Sequence, residues 1–400
     1  MTHILVLIRG FWGKGEVKIQ KSQPEFDHPE SIRDEKVKKE NRSRRTEVRS
    51  QMSNVRKLRI PAEWEKHEAT WLGWPHNKED WPGKFTPIPW VYAEIVRYIS
   101  REEKVRIIVE SKQHKEKAER VLKAGDIRSG NIEFFTLKTN RGWTRDSGSI
   151  FIKEPDNKIS AVNFKFNGWA KYSNYKKDEK LPDLISKKFR IKKTVPVLRN
   201  RHVVLEGGSI DTNGKGTLIT TEECLMDNKV QVRNPGFTKN DYEEVFKKYL
   251  GISNVIWLGK GIAGDDTHGH VDDLCRFINS NTLLLVQEEN PEDENYSRLK
   301  ENNERLEEIK LDNGKKPEII SLPMPSPVIF KGQRLPASYA NFYFSNYAVL
   351  VPTFNDPKDR IALGIISELV KDRPVIGIHA VDLVWGLGTI HCLTHEQPAI

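Results

Sequence analysis

The sequence predicts a mixed α/β fold of repeated supersecondary units arranged around an axis, and three observations lead there. Short β-rich runs alternate with amphipathic stretches from about Leu58 to the end of the chain. Tight turns such as Thr212-Asn213-Gly214-Lys215-Gly216 and Asn279-Ser280-Asn281 mark hairpins, which a plain parallel βαβ sheet does not need. A polar residue followed within a few positions by an apolar, hairpin-like pair recurs four times, in segments 145–151, 205–210, 270–274 and 340–344. Its polar positions, Asp146, Glu206, Asp272 and Asn341, are separated by 60, 66 and 69 residues. Self-similarity at such a period is the mark of a ring or stack. In a propeller, equivalent strand ends of several blades face one axis, so residues distant in sequence meet there.

In chain order, short runs rich in β-branched and aromatic residues, bounded by turn formers, predict strands at 69–74, 105–109, 132–137, 149–152 and 160–166. Further strands follow at 203–205, 217–221, 254–258, 274–278, 282–287, 348–352 and 375–378. Apolar residues at helical spacing predict helices at 89–100, 113–123, 239–250, 293–310 and 357–370.

Composition sets the outer limits. Of 400 residues, 37% are hydrophobic and 30% charged, with 10 Trp, which is ample for a packed core and excludes wholesale disorder or a small disulfide scaffold. The longest apolar runs, such as 282–286, fall far short of a bilayer span. The run 4–8 follows no basic stretch and precedes no small-residue cleavage site, a poor signal peptide. Cys224, Cys275 and Cys392 are far apart and form no Cys-X-X-Cys pair, so a reduced, cytoplasmic protein is expected. Residues 1–57 hold 14 Lys or Arg against 8 Asp or Glu, so only +3 of the net charge of +9 falls on the rest. Mixed signs and few aromatics there favour a solvated extension over a nucleic-acid-binding arm. The expected division is a charged extension over 1–52 and a folded body over 53–400. No membrane or nucleic-acid partner is expected, and self-association is left open.

Several polar positions carry chemistry. Asp146, in Gly142-Trp143-Thr144-Arg145-Asp146-Ser147-Gly148, has an aromatic and a cation beside it, more than a turn carboxylate requires. Glu206 precedes Gly207-Gly208, where backbone can approach a ligand closely. The densest polar run is Gly264-Asp265-Asp266-Thr267-His268-Gly269-His270-Val271-Asp272-Asp273. It invites zinc or iron, but no second cluster at ligand spacing completes a shell, and no metal is expected. In a strand, His270 and Asp272 share a face, as a base beside a cation-binding carboxylate. Cys224 and Cys275 read as buried hydrophobes. Cys392 follows the glycine-bearing loop Gly386-Leu387-Gly388-Thr389 among polar residues, surroundings that favour a nucleophilic thiolate.

Together these segments resemble the agmatine deiminase family, relatives of the bacterial-type peptidylarginine deiminases within the guanidine-modifying pentein superfamily. The resemblance runs from about Arg59 to Ile400. It is carried by Pro61-Ala62-Glu63-Trp64, Trp74-Pro75-His76-Asn77, Trp81-Pro82-Gly83-Lys84-Phe85 and Trp143-Thr144-Arg145-Asp146. Leu205-Glu206-Gly207-Gly208, the run from Asp266 to Asp272, and Ile390-His391-Cys392 complete it in order. It implies a five-bladed α/β propeller and cofactor-free hydrolysis of agmatine to N-carbamoylputrescine and ammonia. Free arginine or peptidyl-arginine is the alternative substrate, and a silent guanidine-binding or RNA-binding protein the alternative class. Carried over residue by residue, it makes Cys392 the nucleophile and His270 the general acid/base. Asp146 and Asp272 grip the guanidinium, and Glu206 supports His270. Trp143, Asp265 and Asp266 are candidates to line the substrate tail. Leu387 and Thr389 interrupt the glycine run that relatives often carry before the cysteine.

Overall fold

The computed structural model describes residues 58–400. The predicted extension over 1–52 lies outside the described residues.

One unit recurs along the chain: a hairpin, a helix crossing back, and a third strand parallel to the second. Ile150–Lys153 pairs antiparallel with Ile159–Val162, helix Leu181–Phe189 follows, and Lys192–Thr194 adds in parallel. Asp211–Thr212, Thr217–Thr221, helix Lys239–Leu250 and Asn254–Leu258 repeat the order. So do Cys275–Asn279, Thr282–Gln287, helix Glu294–Leu306 and Glu318–Pro323. The fourth copy is Tyr343–Phe344, Val349–Thr353, helix Lys358–Leu369 and Val375–His379. The fifth is assembled from both ends of the described chain. Thr394–Pro398 lies antiparallel to His67–Gly73, with Leu72 opposite Thr394 and Trp71 opposite His395. Helix Ile88–Ile99 leads to the parallel strand Lys104–Val109, and Ile132–Thr136 extends that sheet. Five sheets of this kind make the five-bladed α/β propeller, closed by pairing its first and last strands.

Turn chemistry sets the hairpins. Asn213 Oδ1 accepts the N–H groups of Lys215, Gly216 and Thr217 at 2.9–3.1 Å, holding the chain reversal between the strands on either side. Helix Lys239–Leu250 begins with a capping box between Thr238 and Asp241 and ends at Gly251 in the left-handed region. Central strands such as Thr282–Gln287 are buried on both faces, as parallel pairing beneath helices requires.

Each predicted helix is present within a few residues of its expected limits, and most strands agree as closely. Four differences stand out. Segment 203–205 forms only an isolated bridge, Val204 to Lys165, and the strand expected over 160–166 ends at Val162. Helix Leu181–Phe189 is short and has proline in its first turn, which hides its period. Strand Thr394–Pro398 has no apolar alternation and owes its conformation to its partner His67–Gly73. His270 and Asp272 are not in a strand: a 3₁₀ turn spans Val271–Asp273, with His270 just before it.

Candidate active site

The chain enters the first strand of each blade through a tight turn, and these turns converge. Thr144–Ser147 carries Asp146, Gly207–Ser209 carries Gly208, Val271–Asp273 carries Asp272, and Ile390–Leu393 carries Cys392. Asn341 stands two residues before Tyr343–Phe344. Hydrogen bonds join neighbouring turns. Gly208 N–H donates to Asp146 Oδ1 at 2.9 Å, Ser338 Oγ to Asp273 O at 2.7 Å, and His391 N–H to Asn341 Oδ1 at 3.0 Å. Thr144 Oγ1 donates to Leu393 O at 2.6 Å, linking the fifth turn back to the first, so hydrogen bonds bridge four of the five junctions. The recurring polar position is therefore fivefold, and its fifth copy is the cysteine.

Cys392 is nearly buried; its Sγ lies 3.1 Å from Asn341 Nδ2 and 3.7 Å from Asp272 Oδ2. His270 Nδ1 stands 3.9 Å from Asp146 Oδ1 and 3.9 Å from Asp272 Oδ1. Asp146 Oδ2 accepts Trp169 Nε1 at 2.9 Å, which fixes the carboxylate plane. A Cβ on Gly208 would lie 2.6 Å from His270 Nδ1, 2.9 Å from Asp146 Oδ1 and 3.0 Å from Asp272 Oδ2. Only glycine leaves that space free, as Leu205-Glu206-Gly207-Gly208 suggested.

Asp272 is the end of a buried ionic chain. Its Oδ2 contacts His391 Nδ1 at 2.7 Å, and His391 Nε2 contacts Glu63 Oε2 at 2.7 Å. Glu63 also meets Arg145 and Arg276, each at 3.1 Å, and Arg276 reaches Asp211 at 3.2 Å. Burial pushes both carboxyls up, but Arg276 and then His391 hold Glu63 well below the ordinary range, and His391 holds Asp272 down. The His391 ring therefore bridges two carboxyls held in their acidic range.

The thiol behaves otherwise than its sequence surroundings suggested. Burial, then the carboxylates of Asp272, Asp273 and Asp146, push Cys392 well above its ordinary value. The cause is sign: the polar neighbours are acids, which oppose a second negative charge. For His270, burial favours the neutral ring, but Asp146, Cys224 and Asp272 together outweigh it and raise the imidazole well above its usual value. Burial raises Asp146 as well.

The site opens into a pocket of about 510 Å³ bordered by Trp143, Asp146, Trp169, Leu387 and Cys392, with Asp266 towards the mouth. Trp143 is buried and stacks at a tilt on Trp81, ring centroids 5.5 Å apart. Asp266 accepts bonds from Lys171 Nζ and, at 2.6 Å, Tyr172 OH. Asp80, also at the mouth, pairs with Arg141, yet burial pushes its carboxyl up to about 7. Asp265 is not lining. Its oxygens accept Thr267, Gly269 and His270 N–H groups at 2.7–2.9 Å, shaping its own loop. Leu387 holds the left-handed conformation (φ 66°) that a glycine would take without strain. Thr389 Oγ1 donates to Asn341 Oδ1 at 2.6 Å, so the residue interrupting the glycine run braces the amide facing the sulfur.

The remaining expected residue, Glu206, is fully buried, and its Oε1 accepts Arg233 Nε at 3.2 Å. A carboxylate oxygen of Glu206, a ring nitrogen of His270 and the sulfur of Cys224 lie within 4.8 Å of one another. Sequence reasoning missed Glu63, Trp169, Arg233 and His391 as site residues, and counted Asn341 only as a repeat position. The repeat period was the signal that singled out Asn341; Glu63 and His391 stood in segments that carry the resemblance without being given a role, and nothing local marked Trp169 or Arg233.

A propeller whose axis gathers a cysteine, a histidine and two carboxylates defines a class, and sequence comparison narrows it. Residues 59–398 match the model of the Porphyromonas-type peptidyl-arginine deiminase family. The chain belongs to that family. It is 31% identical over 365 residues to the agmatine deiminase of Pseudomonas aeruginosa strain LESB58, covering 86% of this chain and 96% of that protein. It is 33% identical over 371 residues to the agmatine deiminase of Medicago truncatula, covering 85% and 96%. Among solved structures, the agmatine deiminase of Enterococcus faecalis superposes with a TM-score of 0.77 at 27% identity, covering 85% of this chain and 96% of that one. A C. jejuni agmatine deiminase, solved as a cysteine-to-serine variant with substrate bound, gives 0.75 at 32% identity with the same coverage.

Proposed function

We propose that this chain hydrolyses agmatine to N-carbamoylputrescine and ammonia through a covalent intermediate on Cys392. The observation that carries the reading is the meeting of Cys392 Sγ, 3.7 Å from Asp272, with His270, 3.9 Å from both Asp146 and Asp272, beside Gly208, whose missing side chain leaves the imidazole and carboxylates unobstructed. A guanidinium is planar and cationic, with five donors and no acceptor, and two carboxylates match it. Held between Asp146 and Asp272, it presents its central carbon to the sulfur. Its charge offsets the carboxylates that keep the thiol protonated, so substrate itself promotes the thiolate.

The thiolate adds to the guanidinium carbon to form a tetrahedral adduct. Protonated His270 gives its proton to the departing nitrogen, and ammonia leaves. The neutral imidazole then takes a proton from water as that water adds to the amidino-thioether. Collapse of the second adduct breaks the carbon–sulfur bond and yields the ureido product and free sulfur. Asn341 steadies the sulfur, and Glu206, held by Arg233, stands beside the ring of His270. Asp266, with Trp143 along the pocket wall, is the subsite for the distal ammonium, which replaces Lys171 there.

Free arginine is the second reading, favoured by one feature: Arg141 and Lys171 stand at the mouth, where an α-carboxylate would arrive. Each is already paired with an acid, Asp80 and Asp266 respectively, which favours the substrate that brings a cation. Product analysis after incubation with agmatine and, separately, arginine decides between them. N-carbamoylputrescine without citrulline supports the proposal; citrulline overturns the substrate, and silence on both overturns the reaction.

A further inference from the structure

The reaction leaves one buried thiol unused, and it stands beside two groups that the reaction employs. Cys224 lies in the short helix Glu222–Met226 and is 2% exposed. Its sulfur, a Glu206 carboxylate oxygen and a His270 ring nitrogen are mutually within 4.8 Å, so some point lies within about 2.8 Å of all three. Zinc bonds of about 2.0–2.3 Å to nitrogen, oxygen and sulfur then need movements of at most about 0.5–0.8 Å. Glu206 Oε2 and both ring nitrogens of His270 are buried and make no hydrogen bond among the described residues. Buried polar atoms are as a rule satisfied, so three such atoms beside a thiol point to a ligand.

The surrounding bonds hold the donors in place. Arg233 occupies the other oxygen of Glu206. Thr221 Oγ1 accepts the Cys224 N–H at 3.1 Å and donates to Gly269 O, tying the helix of Cys224 to the residue before His270. One sulfur, one imidazole nitrogen and one carboxylate oxygen suit zinc, whereas magnesium and calcium prefer oxygen alone.

We propose that Glu206, Cys224 and His270 form an inhibitory zinc site. Binding releases the Cys224 thiol proton and any proton on the coordinating His270 nitrogen, whose lone pair passes to the metal. The imidazole can then no longer shuttle protons. The inhibitory part rests on the acid/base role proposed above for His270; the binding part does not. Because all three donors are buried, inhibition develops over preincubation and a chelator reverses it slowly.

Binding is measured on full-length Cys392→Ala, which removes the thiol of the other sulfur-containing group, Asp272, Asp273 and Cys392. Competition with a chromophoric chelator is expected to give one zinc per chain. Cobalt in its place should give a thiolate-to-metal charge-transfer band. The double variant Cys392→Ala/Cys224→Ala loses both signals, and Cys224→Ser, closer in shape, replaces Cys224→Ala if the latter unfolds. In the active chain, Cys224→Ala keeps turnover in chelated buffer and needs at least about tenfold more zinc for half-inhibition. Unchanged zinc affinity in the double variant, or unchanged inhibition of Cys224→Ala, overturns the site. Binding that leaves turnover untouched overturns the inhibitory role and, separately, the acid/base role of His270.

Discussion

Gly208→Ala tests the arrangement of His270 and the two carboxylates directly. The residue is not in the left-handed region, so its backbone accepts alanine, and the change acts through the added methyl alone. That methyl would stand 2.6 Å from His270 Nδ1 and 2.9 and 3.0 Å from Asp146 and Asp272. Reaching ordinary contact of about 3.4 Å requires the imidazole to retreat about 0.8 Å and the carboxylates about 0.4–0.5 Å. The methyl also takes room from the guanidinium. Displacement of reacting groups by about 1 Å costs on the order of 10²-fold, and lost volume adds to it. A fall in kcat/KM of roughly 10²- to 10³-fold is expected, about 2.7–4 kcal/mol of transition-state stabilisation. Ammonia release from agmatine measures the rate, and circular dichroism with thermal unfolding checks that the fold persists. A folded variant within about threefold of the parent kcat/KM would refute that arrangement.

Three further outcomes follow from the same geometry. Cys392→Ser should lower kcat by at least about 10³-fold with an unchanged urea midpoint, since only the nucleophile is lost; retained ammonia release contradicts the covalent route. His391→Gln keeps one donor but removes the ring whose hydrogen bond and charge interaction depress Asp272. The Asp272 pKa then rises, so the acid limb of the kcat/KM profile should move up by about 1–3 pH units; an unmoved limb with reduced rate would mean that His391 is only structural. Burial holds His395 neutral, down to about 4, with its Nε2 against Ser149 O. The unfolded chain binds that proton first, so stability is lost as pH falls from about 6.5 towards 4, by on the order of 3 kcal/mol. Urea midpoints at pH 7 and 5 should converge in His395→Gln, and an undiminished pH slope in that variant would contradict this account.

The repeat made most of the site legible from sequence. Asp146, Glu206, Asp272 and Asn341 were found by period, and Cys392 by its loop, because a propeller assigns the same inward-facing place in each blade to the same point of the repeat. The fifth copy escaped because its strand, Thr394–Pro398, has no pattern of its own and forms only by pairing with the first strand of the fold. Glu63 and His391 escaped for a related reason. A buried charge is intelligible only from its partners, and those of Glu63 lie as far away as His391.

Residue types and their order determined by themselves the alternation of strands and helices and the hairpin turns, because these depend on near neighbours in the chain. Tertiary structure alone decided the charge states. The sequence around Cys392 reads as polar, and only folding reveals that the facing groups are carboxylates that raise the thiol. It likewise turns His391 from a residue beside the cysteine into the partner that lowers the Asp272 carboxyl. Electrostatic energy depends on distance and burial, and both exist only once remote segments have packed together.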